Sequence, residues 1–299
     1  MNRNGWFAAA TALALAVSAC GPAASPGAET QTPPAAAEST GTESPGAATP
    51  EAPAPEPESP GADETTEPAE EAAPQPENDP APEPAVEKDY YMDGNYVLRP
   101  KDEAGDKKVV LLTFDDGPKE EAMLESMLDT LDRYEAKAIF FINGYRAEKQ
   151  PELVRLLHDR GQTIGNHSWD HIDLKKQTQE EMERQIDDVQ SLVQELVGEA
   201  PVFFRPPFGS GGDAVKAKAE ASGLLYMTWS NGSRDWMRGY DEPQKVVDSV
   251  LEQLHPGSNI LMHELPWTDE ALDELLSALR ERGYSFLDPA RIDPDYSKN

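Results

Sequence analysis

Residues whose types and spacing suit chemistry fall in a few short stretches. In Leu111-Leu112-Thr113-Phe114-Asp115-Asp116-Gly117-Pro118, two carboxylates stand side by side at the end of an apolar run. Like charges that close are costly unless a cation or a shared proton relieves them. Taken alone, the octapeptide reads equally well as a turn with an aspartate helix cap. Further on, His167 and His171 are four residues apart, a spacing that one helical turn would place on a single face. With a carboxylate such as Asp116 they make a two-histidine, one-carboxylate metal site with positions open for water and substrate. Zinc suits these ligands best, and cobalt, iron and nickel fit the same set. An isolated His-x-x-x-His is more often a pair of surface groups. Here three of the five histidines, His167, His171 and His263, follow apolar runs, and the adjacent aspartates need a cation. Those features favour the metal. His158 and His255, in or at the end of helical stretches, read as surface groups.

Secondary structure must bring these groups together. From about Lys107, apolar runs at 108–114, 137–142, 162–166, 202–205, 224–229, 258–263 and 284–287 predict strands. Helical patterns separate most of them. Thr178 to Gly198 is the clearest, with a Thr178/Glu181 capping box, an apolar stripe through Met182, Ile186, Val189, Val193 and Leu196, and a glycine stop. Pro151 opens another helix that Gly161 closes, and helices are expected at 243–254 and 269–282. Strands alternating with helices imply an α/β fold with a parallel sheet; seven strands suit a barrel slightly short of eight. A doubly wound open sheet shares the periodicity and is the alternative. Residues 89–106 read as a lead-in arm. Ionisable or polar groups follow five of the strands: Asp115 and Asp116, His167 to His171, Arg205, Asp235, and His263. Parallel α/β folds build their sites at that rim.

Five ordered motifs, Thr-Phe-Asp-Asp-Gly, His-Ser-x-x-His, Arg-Pro-Pro-Phe-Gly, Asp-Trp and Leu-x-His, resemble those of the polysaccharide deacetylases with a NodB-homology domain, carbohydrate esterase family 4. The resemblance covers about residues 105–288 and implies a distorted (β/α)7-8 barrel and a metal-dependent deacetylase. It implies that Asp115 is the general base, with Arg205 keeping it ionised and oriented. Asp116, His167 and His171 would hold the metal. The backbone N–H of Phe208 would stabilise the oxyanion. His263 would be the general acid, held protonated by Asp235. Trp236 would wall the pocket, and Leu261 would line the groove for the acetyl methyl. Amide hydrolysis needs such parts on general grounds: an activated water, a sink for negative charge and a proton for the departing amine. Ion pairing for Arg205 and Asp235, and core packing for Trp236 and Leu261, are the structural alternatives. Trp169 and Trp267 read as partly buried side chains before they read as sugar platforms. The sequence departs from the family at Gly232, where Asp-x-x-Asp-Trp is usual. That puts local loop geometry or substrate contacts in doubt.

The chain has 299 residues and a formal charge of −30, unevenly spread. Residues 21–87 hold fifteen acidic residues, sixteen of the 27 prolines, and no Lys or Arg. Such a segment cannot bury enough apolar surface to offset its chain entropy, so residues 20–88 are expected to be a disordered linker. As a coil it would span roughly 45 Å, and as polyproline II up to about 200 Å. Residues 1–19 read as a signal peptide too short to span a membrane comfortably. Val17-Ser18-Ala19-Cys20 resembles a lipobox, and Cys20 is the only cysteine. Lipidation there would anchor the chain to the bacterial membrane on its outer side. The deacetylase domain is expected over 89–299. Residues 88–299 carry 41 acidic and 25 basic residues, a net of −16. That balance disfavours nucleic acid as a partner. An N-acetylated polysaccharide, peptidoglycan N-acetylglucosamine above all, is the expected substrate, acted on by a monomer. An O-acetyl polysaccharide esterase and a non-catalytic wall-binding lipoprotein are the alternatives.

Overall fold

The structure, a computed structural model, describes residues 86–296. The expected signal peptide, Cys20 and nearly all of the linker lie outside the described residues. In chain order the elements are strands β1 (Tyr90–Met92), β2 (Leu98–Pro100) and β3 (Val109–Gly117), helix α1 (Glu121–Arg133), β4 (Ala138–Ile142), α2 (Gly144–Lys149), α3 (Pro151–Asp159) and β5 (Thr163–Asn166). There follow α4 (Gln179–Val197), β6 (Phe203–Phe204), α5 (Gly212–Ala221), β7 (Leu225–Tyr226), β8 (Asn231–Gly232), α6 (Pro243–Glu252), β9 (Ser258–His263), α7 (Pro266–Glu281) and β10 (Ser285–Phe286).

The main sheet runs in the order β7-β6-β5-β4-β3-β9-β8, with β10 pairing to the start of β3. Its strand pairs are parallel throughout. It is a parallel sheet curled into a partial barrel with helices around it. The two outermost strands, β7 and β8, are consecutive in the chain. They are joined covalently through residues 227–230 and not by a strand ladder, so the curl has a seam. The apolar run 224–229, read as one strand, therefore gives only the short β7. The reason is that Thr228 turns its carbonyl away to the Arg205 guanidinium and the Asn259 amide.

Alternation along the strands sorts side chains into two layers. Val110, Leu112 and Phe114 of β3, Phe140 and Ile142 of β4, and Ile260 and Met262 of β9 face outward to the helices. There they meet Leu124, Met127, Leu128 and Leu131 of α1 and Leu272, Leu275, Leu276 and Leu279 of α7. Each such side chain removed from water contributes about 1.5–3 kcal/mol. Facing inward, Val109, Leu111, Ile139, Phe141 and Phe203 close one end of the barrel with Tyr90 and Leu98 of the β1–β2 hairpin. The expected lead-in arm is thus an antiparallel hairpin that plugs the N-terminal end of the sheet. At the opposite end the inward positions become polar.

Helix ends follow from particular residues. Thr178 caps α4 by accepting the Glu181 N–H at 3.3 Å, and Gly198 closes it at φ 90°. Glu181 does not return the favour expected of a capping box; its carboxylate turns to Arg184 and Gln185 instead. Helix α7 starts at Pro266, three residues before the expected 269, because proline suits the first helical turn.

Candidate active site

Strand β3 continues through both aspartates, further than the expected 108–114. Its register with β4 shifts between Asp115 and Gly117, leaving Asp116 as the extra residue of a bulge. A bulge re-aims a side chain. Asp115 keeps the inward direction it shares with Thr113, while Asp116, at φ 68°, turns to the histidines. Those histidines do not share a helical turn. Residues 167–171 form a loop after β5, with Ser168 at φ 69° and His171 at φ 54°, and the loop itself makes them converge. Asn143 supports it by donating to the His167 carbonyl at 2.9 Å, and Asn166 accepts the Ser168 N–H at 2.9 Å.

His167 Nδ1 lies 2.7 Å from the Arg205 carbonyl, which can only accept. The proton therefore sits on Nδ1, and Nε2 presents a lone pair to Asp116 Oδ1 at 3.4 Å. His171 Nε2 stands 3.1 Å from the same oxygen. That oxygen is buried with no hydrogen-bond partner. Three acceptors gathered in this way fit a cation. Ligands about 2.0–2.2 Å from a tetrahedral zinc are themselves separated by about 3.3 Å, close to the two distances found. The three ligand atoms all lie within 4.8 Å of one another.

Arg205, fully buried, organises the centre. One of its terminal nitrogens donates to Asp115 Oδ1 at 2.7 Å and to Thr113 Oγ1 at 2.8 Å; the other donates to the Thr228 carbonyl at 2.8 Å. Its guanidinium also lies over the Phe141 ring, 4.3 Å from the centroid. The second Asp115 oxygen faces His167 Nε2 at 3.7 Å.

On the other side of the cleft, Asp235 grips His263 twice, accepting from the backbone N–H and from Nδ1, both at 2.7 Å. Thr268 Oγ1 donates to Asp235 at 2.7 Å, and Trp267 Nε1 donates to its carbonyl at 2.9 Å. Burial pushes the His263 imidazole down, but the Asp235 carboxylate overrides it and the net shift is upward. Nε2 of His263 is left for the cleft.

Trp236 is 44% exposed and meets His263 edge-on at 5.3 Å. Phe208, 66% exposed at φ 59°, meets His171 edge-on at 4.7 Å. Leu261 is buried in β9, on the face it shares with Asn259 and His263. Trp169 packs on Gly144 and is structural; Trp267 lines the cleft. Gly232 lies under two tryptophans: a Cβ there would come within 3.3 Å of Trp236 and 3.5 Å of Trp229. The departure at that position thus touches the pocket wall. The cleft, about 510 Å³, is bounded by Asp116, Lys119, Trp236, Arg238, His263 and Trp267.

Several of these groups carry no local signal in the sequence. Glu264 is buried against Gly117, accepts the Lys119 N–H at 3.0 Å with one oxygen, and has no partner for the other. Burial pushes its carboxyl up to about 7. Thr268 and Lys119 were equally invisible, because their roles come from the approach of distant elements. Asn143 and Asn166 had a signal: each is a polar residue closing an apolar run.

A family profile described as polysaccharide deacetylase matches residues 102–227. The peptidoglycan-N-acetylmuramic acid deacetylase PdaC of Bacillus subtilis is 35% identical over 199 residues, 65% of this chain and 41% of PdaC. A solved PdaC structure superposes with a TM-score of 0.57 at 31% identity, covering 62% of this chain and 89% of that one. The peptidoglycan-N-acetylglucosamine deacetylase PgdA of Listeria monocytogenes is 38% identical over 181 residues, 60% of this chain and 38% of PgdA. This chain therefore spans about two fifths of the length of those two relatives. A family 4 pseudoenzyme from Bacillus anthracis is also similar, at 28% identity and TM-score 0.59, covering 62% of this chain and 66% of that one. The curled parallel sheet, its rim of carboxylates and histidines, and these similarities agree: the chain belongs to the polysaccharide deacetylase family.

Proposed function

We propose that this protein is a metal-dependent deacetylase that hydrolyses N-acetyl groups of peptidoglycan, with N-acetylglucosamine as the preferred sugar. One observation carries the reading: the Asp116–His167–His171 cluster has a buried carboxylate, Asp115, on one side and an Asp235-supported imidazole, His263, across the same cleft. A base and an acid flanking a cation site are what amide hydrolysis requires. Relatives of both sugar specificities support the polymer.

Asp116, His167 and His171 would hold the ion, zinc by preference. A bound divalent ion supplies Lewis acidity and makes water easier to deprotonate at neutral pH. Asp115 takes the proton from the attacking water, and Arg205 fixes which oxygen is free to do so by occupying the other. The Phe208 N–H donates to the oxygen that gains negative charge. His263, whose protonated form is favoured because Asp235 accepts from its Nδ1, delivers a proton from Nε2 to the departing nitrogen. Leu261 and Trp236 wall the space for the acetyl methyl.

Anchoring is part of the proposal: a diacylglycerol on Cys20 and a long acidic tether would hold the domain outside the membrane, beside the wall. The test is acetate release from peptidoglycan and chitooligosaccharides, before and after chelation and after zinc is restored. Chelator-sensitive release is expected. No release from any of them, or release indifferent to chelation, would refute the reading. Faster release from acetylated xylan would redirect it to an O-acetyl esterase.

A further inference from the structure

Resting on that reading, we propose that Lys119 and Arg238 form a subsite for a carboxylate carried by the glycan next to the sugar being deacetylated. Both line the same cleft as Asp116 and His263. Lys119 comes from the turn after β3, and the exposed Arg238 from the loop after Asp235, so two separate elements bring cations to the cleft that His263 lines. Neither ammonium nor guanidinium has an ion-pair partner among the described residues, whereas the neighbouring Arg234 pairs with Glu252 and Arg205 with Asp115. Lys119 is half-buried. A cation sheltered from water without a partner is costly unless a ligand completes it.

None of the carboxylates nearby forms an ion pair with either cation among the described residues. Asp116 faces the two histidines, and Asp235 serves His263 and Thr268. Glu264 takes the Lys119 backbone N–H and not its ammonium. Asp241 is exposed at the mouth of the cleft. Trp236 and Met237, 44% and 45% exposed, stand beside Arg238. An apolar face next to a free cation suits a sugar ring with an acidic substituent. A domain with net charge −16 repels anionic polymers at a distance, so local cations of this kind are what would let one in. In peptidoglycan the carboxylate has two sources, the lactyl group of N-acetylmuramic acid and the stem peptide.

The full-length, zinc-loaded protein and its Lys119→Met/Arg238→Met double variant would be titrated with three ligands. These are peptide-free glycan strands, the same strands with lactyl carboxylates converted to amides, and peptide-bearing strands. At low salt the unaltered protein should bind carboxylate-bearing strands about tenfold more tightly than the amidated ones, the scale of a charge-assisted hydrogen bond. In the double variant that preference should fall below twofold. A preference for peptide-free strands assigns the lactyl group; one confined to peptide-bearing strands assigns the peptide. No preference in the unaltered protein, or one that survives in the variant, overturns the subsite. Acetate is measured in the same samples: preferential binding without release would sink the deacetylase reading and leave the subsite standing.

Discussion

Asp115 and Asp116 are neighbours in sequence but answer to different partners, Arg205 for the first and two histidines for the second. Their substitutions should therefore separate. Asp116→Asn should lose bound metal and turnover together, while Asp115→Asn should retain metal and lose about 10²–10⁴-fold in kcat. Metal analysis beside acetate release checks this, and equal behaviour of the two variants would contradict it. Burial pushes the His263 imidazole down, yet the Asp235 carboxylate leaves it raised overall. Asp235→Asn should lower that imidazole, so the alkaline limb of kcat/KM should move to lower pH. Glu264 works in the opposite sense. Its folded carboxyl titrates near 7, above its ordinary value of 4.5. As pH rises from 4.5 towards 7 the unfolded chain gives up this proton and the folded one keeps it, so stability falls, by on the order of 3 kcal/mol, and then levels off. Denaturation of Glu264→Gln across that range should show this decline removed. The aspartates, histidines and arginine were legible in the sequence because charged groups directly after apolar strands are conspicuous. Glu264 was not, since its burial depends on Gly117 lying across from it.

At the level of elements, the ends of β3 and β9 determine the site, and Gly117 is where they touch. A Cβ at Gly117 would fall 1.8 Å from Glu264 Oε1. Gly117→Ala should cost about 1–3 kcal/mol by overpacking and also displace the aspartates, lowering kcat. Thr178→Ala, which removes the α4 cap, should cost about 1 kcal/mol and leave kcat alone. Thermal melts paired with kcat separate the two. Helix α4 could be read from sequence in nearly its full length because stripe, cap and glycine stop agree. The His167–His171 turn could not, because its left-handed residues are held by Asn166 at the end of β5 together with Asn143, a distant residue just past β4. The Asp116 bulge was hidden for a similar reason: only the register with β4 reveals it.

For the whole molecule, the alternation of apolar runs and helices was enough to give a parallel α/β fold, but not how the sheet ends. Short pairings such as β8 on β9 leave too little pattern to read. Outside the described residues, Cys20 carries the anchoring proposal: Cys20→Ala should move the protein from the membrane to the soluble fraction without changing the acetate released per molecule. Unchanged fractionation would rule the anchor out. The seam at residues 227–230 has a further consequence. The Arg205 guanidinium that pairs with Asp115 also clasps the Thr228 carbonyl through two nitrogens, so the hoop is latched by the same side chain that holds the Asp115 carboxylate. Local opening fluctuations should start where a sheet has no ladder. Amide hydrogen exchange at Met227 to Ser230 would then serve as a gauge of the Arg205–Asp115 pair, quickening whenever Asp115 loosens its hold on Arg205.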